Sequence, residues 1–260
     1  MKGLSMTISR TNPIIFPNTM PPSPAWAHIP PCSVDIPEFK PKKAGKDTAH
    51  VIFVLDDSAS MQSCRDSTIK GFNEFLQGQK DSKVKTYVSL FKFDGSATHC
   101  VFDHVDAAIV EPLNNTTYNP WGSTNLYDGI GNAMNEVNRR LKLVKKANRD
   151  SVTIVILTDG QENSSQFYGS ADIKAMVEKA EGKNWSFMFL GANIDAFDAG
   201  GALGFGHHNT LQYNTSKMGD TMRVASRMTS DMSAAKATGM ATMDAYVATT
   251  FTDTEREEAN

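Results

Sequence analysis

The sequence predicts an α/β protein with a doubly wound, mostly parallel central sheet, one antiparallel edge strand and helices on both faces. Three observations lead there. From residue 50 to about residue 236, strand-length apolar runs alternate with segments of helical period. Two runs, His50 to Leu55 and Val152 to Leu157, are apolar on both faces, as strands covered on both sides must be. One neighbouring pair of runs is joined by a loop as short as Asp94-Gly95-Ser96, which forces that pair to be antiparallel.

The elements follow in order. Residues 1–48 stand apart, holding nine of the 11 prolines: Pro13, Pro17, Pro21, Pro22, Pro24, Pro30, Pro31, Pro37 and Pro41. The segment has neither helical nor strand periodicity and is expected to be extended, with polyproline II character. It is basic, with Lys2, Arg10, Lys40, Lys42, Lys43 and Lys46 against Asp35, Glu38 and Asp47. Its isolated apolar anchors Ile14, Ile15, Phe16, Trp26 and Ile29 favour an arm that docks on a neighbouring subunit over a floppy leader. Residues 50–56 read as a buried strand. Residues 61–80 read as a helix with Ile69, Phe72, Phe75 and Leu76 on one face. Residues 84–93 form a long strand and 98–102 a short one, followed by an irregular stretch to residue 121 with room for a short helix. A helix over 126–146 leads into the second central strand, 152–158. Then come a helix over 171–182 ended by Gly182, a strand over 185–190, a short helix over 195–203, an edge strand over 209–213 and a helix over 217–236. The acidic run 253–258 reads as solvated surface. The expected units are the arm 1–48, the α/β domain 49–215, and a C-terminal helix with acidic tail, 216–260, packed on or continuing that domain.

Bulk properties exclude several classes. The 260 residues are 40% hydrophobic and 21% charged, ordinary for a globular protein. A net charge of −3 supplies no basic field for nucleic acid. No window has the apolar length of a membrane span. The stretch Met1 to Thr7 lacks the apolar core of a signal peptide, so a cytoplasmic location is expected. Cys32, Cys64 and Cys100 are odd in number and lack C-x-x-C spacing, which suits reduced thiols rather than a disulfide framework or a zinc site.

The chemistry concentrates in three short segments. Asp56-Asp57-Ser58-Ala59-Ser60 follows the first central strand, placing a carboxylate and two hydroxyls on one tight loop. Gly122-Ser123-Thr124 precedes a helix, and Leu157-Thr158-Asp159-Gly160 ends the second central strand. Oxygen-only donors suit a hard divalent cation such as Mg²⁺, Ca²⁺ or Mn²⁺. Taken singly, each segment also fits a plainer role. Ser58, Ser60 or Thr124 can cap a helix, and Asp159-Gly160 can be a turn. Together they argue for more. In a doubly wound sheet of order 3-2-1-4-5-6 the strands ending at Asp56 and Asp159 are central neighbours, and both motifs lie at the switch point where such folds bind ligands.

These segments resemble the metal-ion-dependent adhesion site of the von Willebrand factor A family, also called integrin I-like domains. The resemblance covers roughly residues 48–215 and implies the Rossmann-like fold of that family. It implies that Ser58, Ser60 and Thr124 coordinate a metal directly, and that Asp56 and Asp159 act largely through bound water. Direct coordination by neutral hydroxyls would leave much of the metal's charge unneutralised. The resemblance therefore implies a protein partner that supplies a Glu or Asp carboxylate. Asp57 and Glu162 add negative charge nearby and read as ordinary surface acids. Trp121 and Tyr118 flank the threonine loop and fit either a partner surface or loop packing.

Other signals are absent. No Gly-x-Gly-x-x-Gly follows a strand, and no Gly-x-x-x-x-Gly-Lys-Ser/Thr occurs. Asp56-Asp57-Ser58 lacks the second carboxylate of a phosphatase nucleophile, and no Gly-x-Ser-x-Gly elbow is present. His207-His208 reads as packing or surface. Met218, Met222, Met228 and Met232 read as core side chains of the last helix. The expected function is a non-catalytic, metal-dependent protein-binding module for adhesion or assembly. The alternatives are a structural component of a larger assembly, such as a phage virion, held by its arm, and a regulatory subunit of a metalloenzyme.

Overall fold

The computed structural model describes residues 14–17, 48–146 and 149–260. Strands β1 (Ile14–Pro17), β2 (Thr48–Asp56), β3 (Lys85–Phe93), β4 (Ala97–Asp106), β5 (Ser151–Thr158), β6 (Trp185–Gly191) and β7 (Thr210–Gln212) form one sheet of order β1-β4-β3-β2-β5-β6-β7. β2 lies between β3 and β5 and is parallel to both; β6 and β7 continue the parallel run. β4 pairs antiparallel with β3, and β1 pairs antiparallel with β4. From β2 onward the strand order is the expected one. The difference is β1, which moves the antiparallel strand one place in from the edge. Four residues inside a proline-rich stretch have too little periodicity to be read as a strand. The rest of the expected arm lies outside the described residues.

The helices are α1 (Arg65–Lys80), α2 (Leu126–Lys142), α3 (Ser170–Glu181), α4 (Ala196–Ala202), α5 (Met218–Ala237), α6 (Thr242–Thr249) and α7 (Asp253–Ala259). The apolar run of β2 hides a period of two. Val51, Phe53 and Leu55 face one core, with Phe72, Phe75 and Leu76 of α1 and Met218, Met222, Met228 and Met232 of α5. Ile52 and Val54 face the other, with Ile130, Met134 and Val137 of α2 and Ile173 and Val177 of α3. Each such side chain taken fully from water contributes about 1.5–3 kcal/mol. Two filled faces therefore hold β2 at the centre and fix the loop at its carboxyl end.

Asp253, Glu257 and Glu258 of the acidic run are exposed as expected, but the run is also structured. It is α7, opened by a reciprocal cap between Thr252 and Glu255. Arg227 of α5 holds Glu255 with two bonds of 2.6 and 2.8 Å. Arg256 donates to the carbonyls of His207 (2.6 Å) and Thr210 (2.8 Å), covering the outer edge of β7. The expectation of reduced thiols does not hold at Cys100, which is disulfide-bonded. Among the described residues no helix is long and apolar enough to cross a membrane.

Candidate metal centre

The loop after β2 is built by its own hydrogen bonds. Asp56 is fully buried, and one carboxylate oxygen accepts from the Ser58 amide at 2.8 Å, turning the chain sharply. The other accepts from the Thr158 hydroxyl of the neighbouring strand at 2.6 Å. The buried Tyr118 hydroxyl donates to the Asp56 carbonyl at 2.8 Å. The threonine loop is sewn to the same turn. Trp121 N–H donates to the Asp57 carbonyl at 2.7 Å, and Ala59 N–H donates to the Gly122 carbonyl at 3.0 Å. Gly122 has φ +80°, a left-handed conformation that glycine adopts without strain.

Three of the five candidate side chains are joined directly. Ser58 Oγ and Ser60 Oγ lie 3.1 Å apart, and Ser60 Oγ donates to Asp159 Oδ1 at 2.6 Å. Asp56 reaches Ser58 through its amide. Thr124 is buried, and its backbone is clamped by Asn163, whose Oδ1 accepts from Thr124 N at 2.9 Å. Its hydroxyl makes no hydrogen bond among the described residues. A Cβ placed on Gly160 would lie 3.4 Å from Ser60 Oγ and 3.5 Å from Thr124 Oγ1, so the three loops meet around that glycine.

The electrostatics favour a cation here. Burial pushes the Asp56 carboxyl up to about 6, against the hydrogen bonds from Ser58 and Thr158, and Asp159 raises it further. Burial also raises Asp159. Two buried carboxylates repel, and a positive ion between their loops would relieve both. Among the described residues no three His, Cys, Asp or Glu side chains gather as a metal cluster. The donor set here is two carboxylates with hydroxyls, and serine or threonine hydroxyls do serve on Mg²⁺. The residues present fit a hard divalent ion.

Sequence reasoning misplaced two acids and passed over three partners. Asp57 is not a surface acid: it is buried and paired with Lys92 at 2.7 Å. Glu162 accepts from the amides of Ser164 (2.8 Å) and Ser165 (2.6 Å) and shapes the loop after Asp159. Thr158, Asn163 and Lys92 carry the supporting contacts. Only Thr158 had a readable signal, lying beside Asp159 in the same motif. Tyr118 is buried while Trp121 is 78% exposed, so the two aromatics of the threonine loop have different roles.

An oxygen-donor cluster at the carboxyl edge of the sheet lies where doubly wound α/β domains bind their ligands. The von Willebrand factor type A domain model matches residues 50–221, and the chain belongs to that family. Among solved structures it is similar to proximal thread matrix protein 1 from the mussel byssus, with TM-score 0.50 and 16% identity over 73% of this chain and 47% of that one. A form of that protein with a zinc-occupied MIDAS motif gives TM-score 0.51 and 11% identity, covering 71% of this chain and 48% of that one. The pilus adhesin SpaC from Lactobacillus rhamnosus GG, in an open conformation, gives TM-score 0.54 and 11% identity over 72% of this chain and 30% of that one. At these identities the likeness shows the fold alone, and this chain spans less than half the length of each. Comparison with curated proteins gives no match.

Proposed function

We propose that the chain is a non-catalytic protein-binding module that depends on a divalent metal. The observation that supports this reading is the meeting of Ser60, Thr124 and Asp159 around Gly160, with a buried, repelling pair of carboxylates behind them. Ser58, Ser60 and Thr124 would hold the ion, with Asp56 and Asp159 compensating its charge. Mg²⁺ is the first candidate and Ca²⁺ or Mn²⁺ the alternatives. A hydroxyl-rich site leaves the ion electron-poor, so the partner supplies a Glu or Asp carboxylate. The pilus adhesin and the zinc-bearing relative are consistent with such a role.

The test has two stages. Calorimetry with MgCl₂ and MnCl₂ should give saturable binding to the wild type and none to Thr124→Ala. A saturating metal at 100 times its Kd should raise unfolding stability by about 2.7 kcal/mol. A pull-down in Mg²⁺ and in EDTA then reads the partner; retention in EDTA or by Thr124→Ala would sink the metal-dependent reading.

A second reading, a structural component held in an assembly by its N-terminal arm, draws on the pairing of Ile14–Pro17 with β4. An arm segment that adds a strand to a sheet edge within its own chain has the chemistry to do so on a neighbour. Deleting residues 1–48 should then abolish assembly while Thr124→Ala still assembles.

A further inference from the structure

Beside the metal loops, at the carboxyl ends of β5, β6 and β7, lies an open cleft of about 440 Å³. Five of its eight lining residues are Asn or Gln, and one of these, Asn214, already accepts from the amide and hydroxyl of Ser216. Gln161, Asn193, Gln212 and Asn260 bring four primary carboxamides to it from the loop after β5, the loop after β6, the end of β7 and the residue after α7. All four are exposed or half-exposed, and none makes a side-chain hydrogen bond among the described residues. Asn193 sits at φ +55°, a left-handed conformation that asparagine tolerates better than most residues. Gln161 directly follows Gly160, the residue around which Ser60 and Thr124 meet.

We propose that this cleft binds the main chain of an extended polypeptide whose carboxylate is held at the neighbouring metal, an inference that rests on the metal-dependent reading above. A primary carboxamide offers two N–H donors and a carbonyl acceptor. An extended peptide presents the same complementary pair at every residue. Four unengaged carboxamides can therefore bind a backbone with little regard to its side chains. The charge distribution assigns the carboxylate to the metal rather than to the cleft, because among the described residues no cationic side chain lines it. Its acidic member, Asp195, is occupied by the amides of Phe197 (3.1 Å) and Asp198 (3.0 Å), which it caps. Among the described residues the cleft also offers no exposed ring on which a sugar could stack. Its aromatic, Tyr213, is buried, with its hydroxyl 3.4 Å from the Thr158 carbonyl.

The experiment is an NMR titration of the ¹⁵N-labelled full chain in Mg²⁺, following the backbone amides of Ser58 and Ser60 and the side-chain NH₂ signals of the four amides. The probe is a pool of terminally blocked decapeptides, each with one central glutamate and random flanks, at millimolar concentration. Acetate and a mixed oligosaccharide set are parallel arms. The proposal expects the peptide pool to move both sets of signals, and acetate to move only the metal-loop set. The double variant Gln161→Ala/Gln212→Ala should bind the pool at least tenfold more weakly with an unchanged melting temperature. Movement of the metal-loop signals alone would overturn the cleft and leave the metal reading standing. No movement of the metal loop by any probe would overturn the metal reading and this inference with it. Movement of the cleft signals by sugars and not by peptides would overturn the polypeptide assignment.

Discussion

Ser89 accepts two hydrogen bonds and donates one, and this fixes the state of His50. Its hydroxyl donates to Asp103 Oδ1 at 2.6 Å and accepts from the His104 amide at 2.8 Å. Asp103 is paired with Arg140, so it is a carboxylate and takes the serine proton. His50 Nε2, 2.7 Å from Ser89 Oγ, must then be a donor. Nδ1 is left as a buried acceptor without a partner among the described residues. Protonating it would place a charge with no acceptor beside the His104 ring, 4.7 Å away. Burial above all, then His104 and Arg140, hold the His50 pKa well below 6.5. The unfolded chain therefore takes up this proton first, and stability is lost as pH falls below 6.5. The stability difference between wild type and His50→Gln should move against the wild type by up to about 1.4 kcal/mol per pH unit below 6.5. Urea unfolding of both proteins at pH 7, 6 and 5 checks it; a difference independent of pH would contradict the assignment.

Between elements, closeness is set by glycines where one structure lies directly on another. A Cβ at Gly129 of α2 would stand 2.7 to 2.8 Å from the Phe93 ring of β3, and one at Gly131 would meet the Tyr168 ring at 2.7 Å. Two glycines inside a helix cost about 1 kcal/mol each in propensity, and here they allow α2 to sit on the sheet beside the threonine loop. Gly129→Ala should destabilise by about 1–3 kcal/mol through overpacking. Gly201 in α4 has open space around its Cβ position. Gly201→Ala should instead stabilise by about 0.5–1 kcal/mol. Denaturant midpoints of the two variants, read against the wild type, should move in opposite directions.

Over the whole molecule, an N-terminal and a C-terminal segment lie along the two sides of the core sheet. β1 covers β4, and Arg256 of α7 covers β7. α6, α7 and the link between them also complete the core that contains the first face of β2, contributing Tyr246, Ala259 and Phe251 respectively. Tyr246 reaches back to the sheet, where its hydroxyl accepts from the Phe187 amide at 2.6 Å. A chain stopped after residue 239 should lose at least about 3 kcal/mol for the missing aromatics and expose an open strand edge. Thermal melts and light scattering should show a lower midpoint and concentration-dependent association. A truncated chain as stable and monodisperse as the full one would show that the α/β unit closes its own core.

The apolar runs of β2 and β5 and the order of the three oxygen-bearing motifs are legible in the sequence because each is local. A strand and the loop that ends it are covalent neighbours, and strand order follows from connection lengths. What escaped was decided by residues far apart in the chain. Asp56 meets Thr158 across 102 positions, and Asp57 meets Lys92 across 35. α6 buries Thr242, Ala245, Tyr246 and Thr249, a true helical spacing masked by small and polar residues. His104 adopts φ +53° where the β3–β4 register shifts, which no pattern of alternating residues announces. The sequence by itself determined the sheet and the candidate donors. The tertiary structure decided which acids are paired, which hydroxyl is left without a bond, and which amides line the cleft, because burial and long-range contact set the electrostatics of each group.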